Sequence, residues 1–354
     1  KFLPKADQRG SLVAPDKLRF DYSANSPLEL EIVRRVEDLL NEIISQKLSV
    51  NMISKPLKQA YELPGLRTMF DEVYPDPCRI VYVDNIGVND VNEVDGNLTS
   101  LEFCSGSHIL NTEHIKHFVI MNEDSKSKGV RRLVAVTGDV ALKIKEFERS
   151  VNENFNKLSR DVNSIKGSQN VEIHQLQKVT NELSLFLQDL KNQQISFSFR
   201  RSMNSALETK IKEMNQLKKQ ETEKFVKLLV NEFLQEIQGQ QDQIPKCFKK
   251  EIESSVLGIK DLENLVKKLT QNKLVSEIQY VCIVCYNGLE KKVLFCLFSK
   301  NPEIYSATNW AKAISDNLKD SKSGGRPVMS NLQAFVDSEL DFRTTFESCT
   351  NYLP

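Results

Sequence analysis

The feature that most constrains the fold is an apolar spacing of three and four residues that begins at Ala141 and continues to Gln238. This spacing puts the apolar side chains on one face of a helix and leaves Lys, Glu, Asn and Arg on the other. Gly167-Ser168 interrupts the first helix, a second helix follows, and a third is predicted from about Asn204. Antiparallel helices are the simplest arrangement, so residues 143–242 are predicted to form a helical, coiled spacer between two other domains.

The residues before this spacer alternate between strand-like runs and turns. Runs rich in β-branched and aromatic residues occupy positions 79–87, 117–123 and 131–138. Gly138 stops the last of these runs. A helix is predicted from Pro27 to Leu48, with Ser26 as its N-cap. Residues 1–142 are therefore predicted to form a domain with a mixed sheet and helices.

The residues after the spacer return to short elements. Two β-rich runs, 274–286 and 291–299, are separated by a turn that contains Asn287 and Gly288, which predicts a hairpin. Helical patterns flank this hairpin at 258–269 and 308–318. Residues 243–345 are therefore predicted to form a small α/β domain, followed by a tail at 346–354. The predicted fold class of the whole chain is α+β.

Charge and cysteine content narrow the class of protein. Lys plus Arg and Asp plus Glu each number 48, so any contact with RNA must come from local patches. Seven cysteines without a regular framework fit a reducing compartment. No run approaches the roughly 18 apolar residues that a membrane span needs. We expect a cytoplasmic protein with no membrane partner, and the absence of an initiating Met at Lys1 favours a piece of a longer chain.

A cysteine and a histidine four positions apart form the most informative local pair. Cys104 and His108 flank the short sequence Ser105-Gly106-Ser107. A thiolate and an imidazole are both zinc ligands, but zinc in proteins takes about four ligands, so this pair supplies half of a site. The nearby His114 and His117 would crowd a tetrahedron. Taken alone, the pair is more typical of a buried thiol near a surface histidine.

Other residues with chemical potential have a structural alternative. Cys282 and Cys285 form a C-x-x-C inside a β-rich run, where a separation of three puts side chains on opposite faces and favours core packing. Arg131 and Arg132 are candidate RNA contacts, although either can instead close an ion pair. Arg326 lies on a Gly-rich turn that can approach a phosphate closely. The chain has no phosphate-binding loop and no Ser/His/Asp arrangement, which disfavours an independent ATPase or serine hydrolase.

Four blocks appear in order at compatible spacing, at residues 9–23, 63–83, 102–108 and 128–141. Together they resemble the editing domain of alanyl-tRNA synthetase, over residues 1 to about 142. In that family a C-x-G-x-H block supplies one pair of zinc ligands, which corresponds to Cys104, Gly106 and His108. The other pair is an H-x3-H, which this chain does not contain and which the family's spacing places before Lys1. Gly324-Gly325-Arg326-Pro327 resembles the glycine-rich block of the family's C-terminal domain.

The resemblance implies a function for each region. Editing in this family is hydrolysis of the ester that links serine or glycine to the 3′ end of alanine tRNA, so tRNA(Ala) is the expected partner and zinc the expected cofactor. Gln8 matches a glutamine beside the editing pocket. The C-terminal domain implies tRNA binding and a homodimer. ATP and magnesium belong to the aminoacylation domain, for which these residues leave no room, and the location is cytoplasmic or mitochondrial.

Two alternatives remain open at this stage. The chain is either catalytic in editing, or it is a catalytically incomplete module for RNA binding or oligomerisation, because half of the zinc site is not in the sequence. A freestanding trans-editing deacylase is the other alternative, and it would also need the second ligand pair. Zinc content distinguishes these readings.

Overall fold

The computed structural model forms two compact units. One comprises Lys1–Ser159 and Leu185–Thr209, and the other comprises Arg160–Ser184 and Lys210–Pro354. We call them the N-terminal unit and the C-terminal unit. The structure describes residues 6–69, 72–84, 100–168, 171–239, 245–275, 277–288, 290–318, 320–336, 343–344, 346–347 and 349–352.

Two antiparallel sheets are described in the N-terminal unit. The first has the strand order β1-β2-β7-β6, with β1 at Gln8–Val13, β2 at Leu18–Ser23, β6 at Phe118–Ser127 and β7 at Val130–Thr137. The second has the order β3-β4-β5, with β3 at Ser49–Lys55, β4 at Cys78–Asp84 and β5 at Ser100–Phe103. All three predicted strands are confirmed, and residues 85–87 of the first prediction lie outside the described residues. The second sheet carries the Cys104 loop.

A long amphipathic helix, α1 at Leu30–Ser45, covers the first sheet. A short helix, α2 at Leu57–Ala60, follows β3. The core under α1 consists of Tyr22, Leu28, Val33, Ile44, Phe118, Ile120, Leu133 and Ala135. The predicted helix limits were too wide: Glu29 occupies the N-cap position, without a side-chain cap, and Ser26 lies outside the helix. The helix ends before Lys47, whose φ of 54° turns the chain into β3.

Three helices form the region predicted as a spacer: α3 at Gly138–Gly167, α4 at Ile173–Leu190 and α5 at Phe197–Gly239. The predicted break after Gly167 is confirmed. The third helix begins earlier than predicted, because Ser196 caps it by accepting a hydrogen bond from the Phe199 N–H at 3.3 Å. Glu148 fixes this cap by accepting the Ser196 N–H at 2.6 Å. The antiparallel arrangement and the domain limits 1–142, 143–242 and 243–345 stay predictions.

The C-terminal unit contains a five-stranded sheet of order β11-β12-β10-β9-β8. Its strands are β8 at Cys247–Glu253, β9 at Tyr280–Asn287, β10 at Lys292–Ser299, β11 at Lys322–Gly325 and β12 at Met329–Phe335. β9 and β10 form the predicted antiparallel hairpin, whereas β8 joins β9 in parallel. The predicted run 274–286 becomes a strand only from Tyr280, because Lys273–Val275 is a 3₁₀ turn.

Helices and apolar clusters cover both faces of this sheet. The helices are α6 at Ile259–Thr270 and α7 at Ala307–Ser315, close to the two predicted ranges. Cys285 lies in the cluster that contains α6 residues, and Cys282 lies in the cluster that contains Trp310 of α7. The prediction that these two thiols pack on opposite faces of the strand is therefore confirmed. The α+β fold class is also confirmed.

None of the helices in the described part of the chain is both long enough and apolar enough to cross a membrane.

Candidate functional site

The loop that carries Cys104 and His108 begins at a firmly packed residue. Phe103 ends β5 in the buried core of the second sheet, and its ring centroid lies 4.5 Å from that of Tyr74 and 5.5 Å from that of Tyr61. The N–H of Cys104 then donates to the backbone oxygen of Arg79 on β4 at 3.3 Å. The first ligand candidate is therefore attached directly to the sheet.

Arg79 also holds the middle of the loop. Its Nη1 donates to the carbonyl oxygen of Ser105 at 3.1 Å and to that of Gly106 at 3.0 Å, and its Nη2 contacts the sulfur of Met52. Hydrogen bonds from a charged donor are stronger than neutral ones. A single guanidinium thus fixes two consecutive carbonyl groups between the two ligand candidates.

The residues after His108 are tied to the turn between α1 and β3. The N–H of Val50 donates to the carbonyl of Leu110 at 3.0 Å. The buried hydroxyl of Thr112 accepts the N–H of Leu48 at 2.9 Å and donates to the carbonyl of Ile43 at 3.1 Å. Both ends of the loop are consequently anchored, and the ligand candidates lie between two fixed points.

The donor atoms of Cys104 and His108 suit a metal ligand pair. His108 is half-buried, and its Nδ1 is buried without a hydrogen-bond partner. A buried nitrogen without a partner is costly unless a metal or water satisfies it. Cys104 is a free, half-exposed thiol, and a Cβ at Gly106 would lie 3.7 Å from its sulfur. Among the described residues, no group of three or more His, Cys, Asp or Glu side chains converges on a metal position.

The neighbouring histidines differ from His108 in position and environment. His114 is exposed in the 3₁₀ turn Thr112–Ile115. His117 precedes β6, and burial, assisted by the positive charge of Lys145, lowers its pKa. Its Nε2 is also buried without a partner. His117 is therefore neutral near pH 7, next to a buried network of Glu37, Lys145 and Glu148.

Gln8 lies on a different sheet from the Cys104 loop. It begins β1, where the register with β2 shifts between Gln8 and Gly10, and its amide nitrogen donates to the Ser11 hydroxyl at 3.1 Å. The side chain is half-buried. Its place beside an editing pocket stays a prediction that rests on the family resemblance.

Arg131 and Arg132 both hold carboxylates inside the N-terminal unit. Arg132 makes a two-point contact with Asp21, at 2.7 and 2.8 Å, which lowers the pKa of that carboxyl group. Arg131 binds both oxygens of Glu123. Burial alone would raise the pKa of Glu123, but the hydrogen bonds from Arg131 and Tyr22 outweigh burial, and the pKa is lowered. These are the ion pairs anticipated as the alternative, and the predicted RNA contact of either arginine stays untested.

Arg326 lines a cleft of about 530 Å³ in the C-terminal unit. The cleft also contains Lys267, Thr270, Gln271 and Phe298. Its one lining carboxylate, Glu263, accepts a hydrogen bond from Asn331 and keeps its negative charge, so the two cations Lys267 and Arg326 leave the lining with an excess of one positive charge. The cations can bind a phosphate, and the aromatic ring of Phe298 can stack on a base.

The turn that presents Arg326 requires glycine at one position. Gly325 has a φ of 139°, and a Cβ there would lie 2.6 Å from the Cα of Ser330 and 2.7 Å from the carbonyl oxygen of Met329. Arg326 and Met329 then exchange two backbone hydrogen bonds, at 2.7 and 3.0 Å. The glycine therefore permits the close approach of β11 and β12 that exposes Arg326. Gly324 has no neighbour that would exclude a side chain.

A larger cleft of about 940 Å³ in the same unit has a less suitable charge for RNA. Its lining includes Glu172, Glu221 and Glu253, and the Nζ of its lysine, Lys224, lies 2.7 Å from Glu221. Carboxylates repel phosphate groups, so the Arg326 cleft is the better candidate for contact with a nucleic acid.

Sequence reasoning missed Arg79 and Lys267. Arg79 lies within the block 63–83 that resembles the editing domain, and its position in a β-rich run next to a cysteine was visible. However, no sequence pattern indicates that β4 and β5 bring its guanidinium to the Cys104 loop. Lys267 lies on α6, where a single lysine is indistinguishable from those on any solvated helix face.

The chain is similar to proteins of known family. Residues 72–134 match the family described as threonyl and alanyl tRNA synthetase second additional domain. The chain is 39% identical over 193 residues to the cytoplasmic alanine–tRNA ligase of Bombyx mori, covering 53% of this chain and 19% of that protein. It is 45% identical over 139 residues to the mitochondrial alanine–tRNA ligase of Saccharomyces cerevisiae, covering 38% of this chain and 14% of the relative.

The similarity extends beyond the matched domain. The alanine–tRNA ligase of Candida albicans is 29% identical over 359 residues, which covers 97% of this chain and 34% of the relative. The chain thus spans between 14% and 34% of the length of these three proteins. The chain is related to the alanyl-tRNA synthetases, and its residues 72–134 correspond to the second additional domain that threonyl and alanyl tRNA synthetases share.

Proposed function

We propose that this chain supplies the editing and tRNA-binding part of an alanine–tRNA ligase. In this proposal it hydrolyses the ester between serine or glycine and the 3′ end of tRNA(Ala), releasing the amino acid and the free tRNA. The observation that carries the proposal is the Cys104–His108 loop, which holds a thiol and a buried imidazole nitrogen without a partner inside the matched domain.

A separate hydrolytic site has a physical rationale. Serine exceeds alanine by one hydroxyl group and glycine lacks one methyl group. A binding pocket discriminates between such close analogues by only about 1–3 kcal/mol. A second site that destroys the wrong ester multiplies the discrimination of the first. Editing therefore supports accurate attachment of alanine during translation.

Cys104 and His108 would hold zinc as two of its ligands, and we propose that an H-x3-H of the kind found in the similar family supplies the other two. Bound zinc supplies a positive charge that orients the substrate or polarises a water molecule. The chain's own contribution is to fix the thiolate and imidazole on an anchored loop. In this proposal Gln8 would place its amide beside the substrate, where it can bind a hydroxyl group or a water molecule.

The tRNA would contact the chain through local cations. Arg326, with Lys267 beside it, is the proposed phosphate contact of the C-terminal unit. Arg131 and Arg132 would contribute with the guanidinium surface that their carboxylate partners leave free. The proposed partners are tRNA(Ala) and a second copy of the chain bound through residues 243–345. The curated relatives include cytoplasmic and mitochondrial enzymes, and we propose one of these two locations.

A deacylation assay tests the proposal. We expect this chain to release serine from Ser-tRNA(Ala) slowly and to bind zinc weakly, because it contributes two ligands. A longer version of the protein that carries the H-x3-H should recover both. Cys104→Ala and His108→Ala should reduce the longer protein to the background rate, while Cys247→Ala, which removes the other half-exposed thiol, should leave it unchanged.

Hydrolysis that survives both substitutions would refute the zinc role. The second candidate function, a catalytically incomplete module for RNA binding or oligomerisation, is favoured by the lack of a three-ligand group among the described residues. It predicts tRNA(Ala) binding without zinc and without hydrolysis in the longer protein. A freestanding trans-editing deacylase would also need the second ligand pair, and it would show full activity in a protein that carries this pair but no aminoacylation domain.

A further inference from the structure

We propose that Arg79 is a positioning residue, which holds the loop from Cys104 to His108 in the shape that binds a metal. This inference rests on the proposed zinc role of Cys104 and His108. Arg79 contributes no ligand atom. In this proposal its side chain, on the neighbouring strand, keeps the backbone of the loop ordered.

The position of Arg79 in β4 explains why it can brace a loop. Its neighbours Cys78 and Ile80 are fully buried, and Ile80 pairs with Phe103 across the sheet. The backbone of Arg79 is therefore fixed on both sides. Its own carbonyl group accepts the N–H of Cys104, so the sheet pairing and the start of the loop share one residue.

The guanidinium of Arg79 also holds loop residues beyond the strand. Its Nη1 bonds to the carbonyl groups of Ser105 and Gly106, the two residues that follow Cys104. The sequence Ser105-Gly106-Ser107 has high backbone freedom, and glycine loses the most conformational entropy on ordering. Without the guanidinium, this entropy would have to be lost when the metal binds, which would weaken the binding.

Partners of metal ligands typically change metal affinity by about 10–100-fold when they are removed. Arg79 acts on the backbone between the ligands rather than on a ligand atom, so we expect the lower end of this range. A purely structural arginine would instead lower the stability of the whole unit and leave the metal affinity of the folded protein unchanged. These two outcomes can be measured separately.

Hydrogen exchange of the metal-free chain provides the first test. We expect amides of residues 104–108 to exchange about 10-fold faster in Arg79→Met than in the wild type, because backbone opening of the loop becomes easier. The matched control is Arg67→Met, which removes an exposed guanidinium from a residue whose backbone bonds to Leu101 and Phe103. Its loop should exchange as in the wild type. Wild-type exchange in a folded Arg79→Met protein would overturn the proposal.

Zinc protection of Cys104 provides the second test. The zinc concentration that halves alkylation of Cys104, followed by peptide mass spectrometry, should rise about 10-fold in Arg79→Met and stay unchanged in Arg67→Met. Equal concentrations for Arg79→Met and wild type would contradict the positioning role. If the wild type shows no protection at any zinc concentration, the proposed zinc function fails, and hydrogen exchange alone then decides whether Arg79 braces the loop.

A conservative variant covers the case in which Arg79→Met does not fold. Arg79→Lys keeps a positive charge with three donors, which can bond to one or both carbonyl groups. We expect exchange and zinc protection between those of the wild type and those expected for Arg79→Met. If Arg79→Lys is folded and differs from the wild type in neither measurement while Arg79→Met is unfolded, Arg79 is a structural residue and the inference is wrong.

Discussion

The two units bury different kinds of side chain. In the C-terminal unit the eight residues of β9 are all buried, and apolar clusters that include helix residues cover both faces of the sheet. The N-terminal unit has apolar cores as well, but it also buries charged networks. The region around its second sheet leaves large apolar side chains exposed, namely Met52, Tyr61, Met69, Val73 and Leu110. Hydrogen bonds hold the loop from Cys104 to His108, whereas apolar burial holds the C-terminal sheet.

The charged networks tie separate elements of the N-terminal unit together. The Nζ of Lys145 on α3 lies 2.6 Å from Glu37 of α1 and 3.3 Å from Glu148. The second oxygen of Glu37 accepts the N–H of Ile120 on β6 at 2.8 Å. Replacing a buried ion pair by apolar packing is often neutral for stability, whereas removing one partner leaves a buried charge without compensation and is costly.

The largest expected effect comes from removing apolar packing in the C-terminal unit. Phe295 is fully buried in the same cluster as Trp310, the chain's one tryptophan. Phe295→Ala should lower the free energy of unfolding of this unit by about 4 kcal/mol. Tryptophan fluorescence during denaturation measures it. The control is Phe335→Ala on β12, a residue that is 51% exposed and whose loss should change stability much less. Equal losses would contradict apolar burial as the cause.

Alkaline pH should also lower the stability of the C-terminal unit. Burial raises the pKa of Cys285 to about 12 and that of Cys296 to about 12. The stability from these protonated thiols is complete below the unfolded pKa near 9 and is lost as pH rises toward 12. From pH 8 to pH 10 the two thiols should lower the free energy of unfolding by about 3 kcal/mol, at about 1.4 kcal/mol for each proton and pH unit.

The double variant Cys285→Ala, Cys296→Ala isolates this effect. Its stability is lower at pH 8 because of the lost packing, but the decrease from pH 8 to pH 10 should shrink by the same amount. Cys104→Ala, in the other unit, should retain the wild-type decrease. An unchanged decrease in the double variant would show that other groups cause it.

The N-terminal unit should lose stability at acid pH. The pKa values of Asp21 and Glu123 are lowered in the folded state, so the stability that these carboxylates give is lost as pH falls below about 4.

A smaller effect should follow from breaking a charged network. Lys145→Met leaves Glu37 and Glu148 buried without their cation, and we expect the free energy of unfolding of the N-terminal unit to fall by about 2 kcal/mol. This is less than for a fully buried pair, because Lys145 is partly exposed. Hydrogen exchange of α1 and β6 peptides measures this loss. Lys143→Met, an exposed lysine on the same helix, is the matched control. If both variants exchange alike, the network does not stabilise the unit.

Sequence patterns predicted the elements that are defined by residues close together in the chain. The helical spacing after Ala141 predicted α3, including its end near Gly167, because an amphipathic stripe needs only an apolar surface to pack on. The hairpin of β9 and β10 was also predicted, since Asn287-Gly288 marks a tight turn. Boundaries set by tertiary contacts were missed: α5 begins at Phe197 because Ser196 and Glu148 cap it from different parts of the chain.

The sequence alone predicted Cys104 and His108 as a ligand pair, through the resemblance of four blocks to a known family, and Arg326 as a cation on a glycine turn; both stay predictions. Only the tertiary structure assigned Arg131 and Arg132 to buried carboxylates and brought Arg79 onto the Cys104 loop. The physical reason is that chemical type is a property of one residue, whereas the partner of a charge depends on strand pairing between distant segments. Asp21 and Arg132 are far apart in the chain, and they meet because β2 pairs with β7.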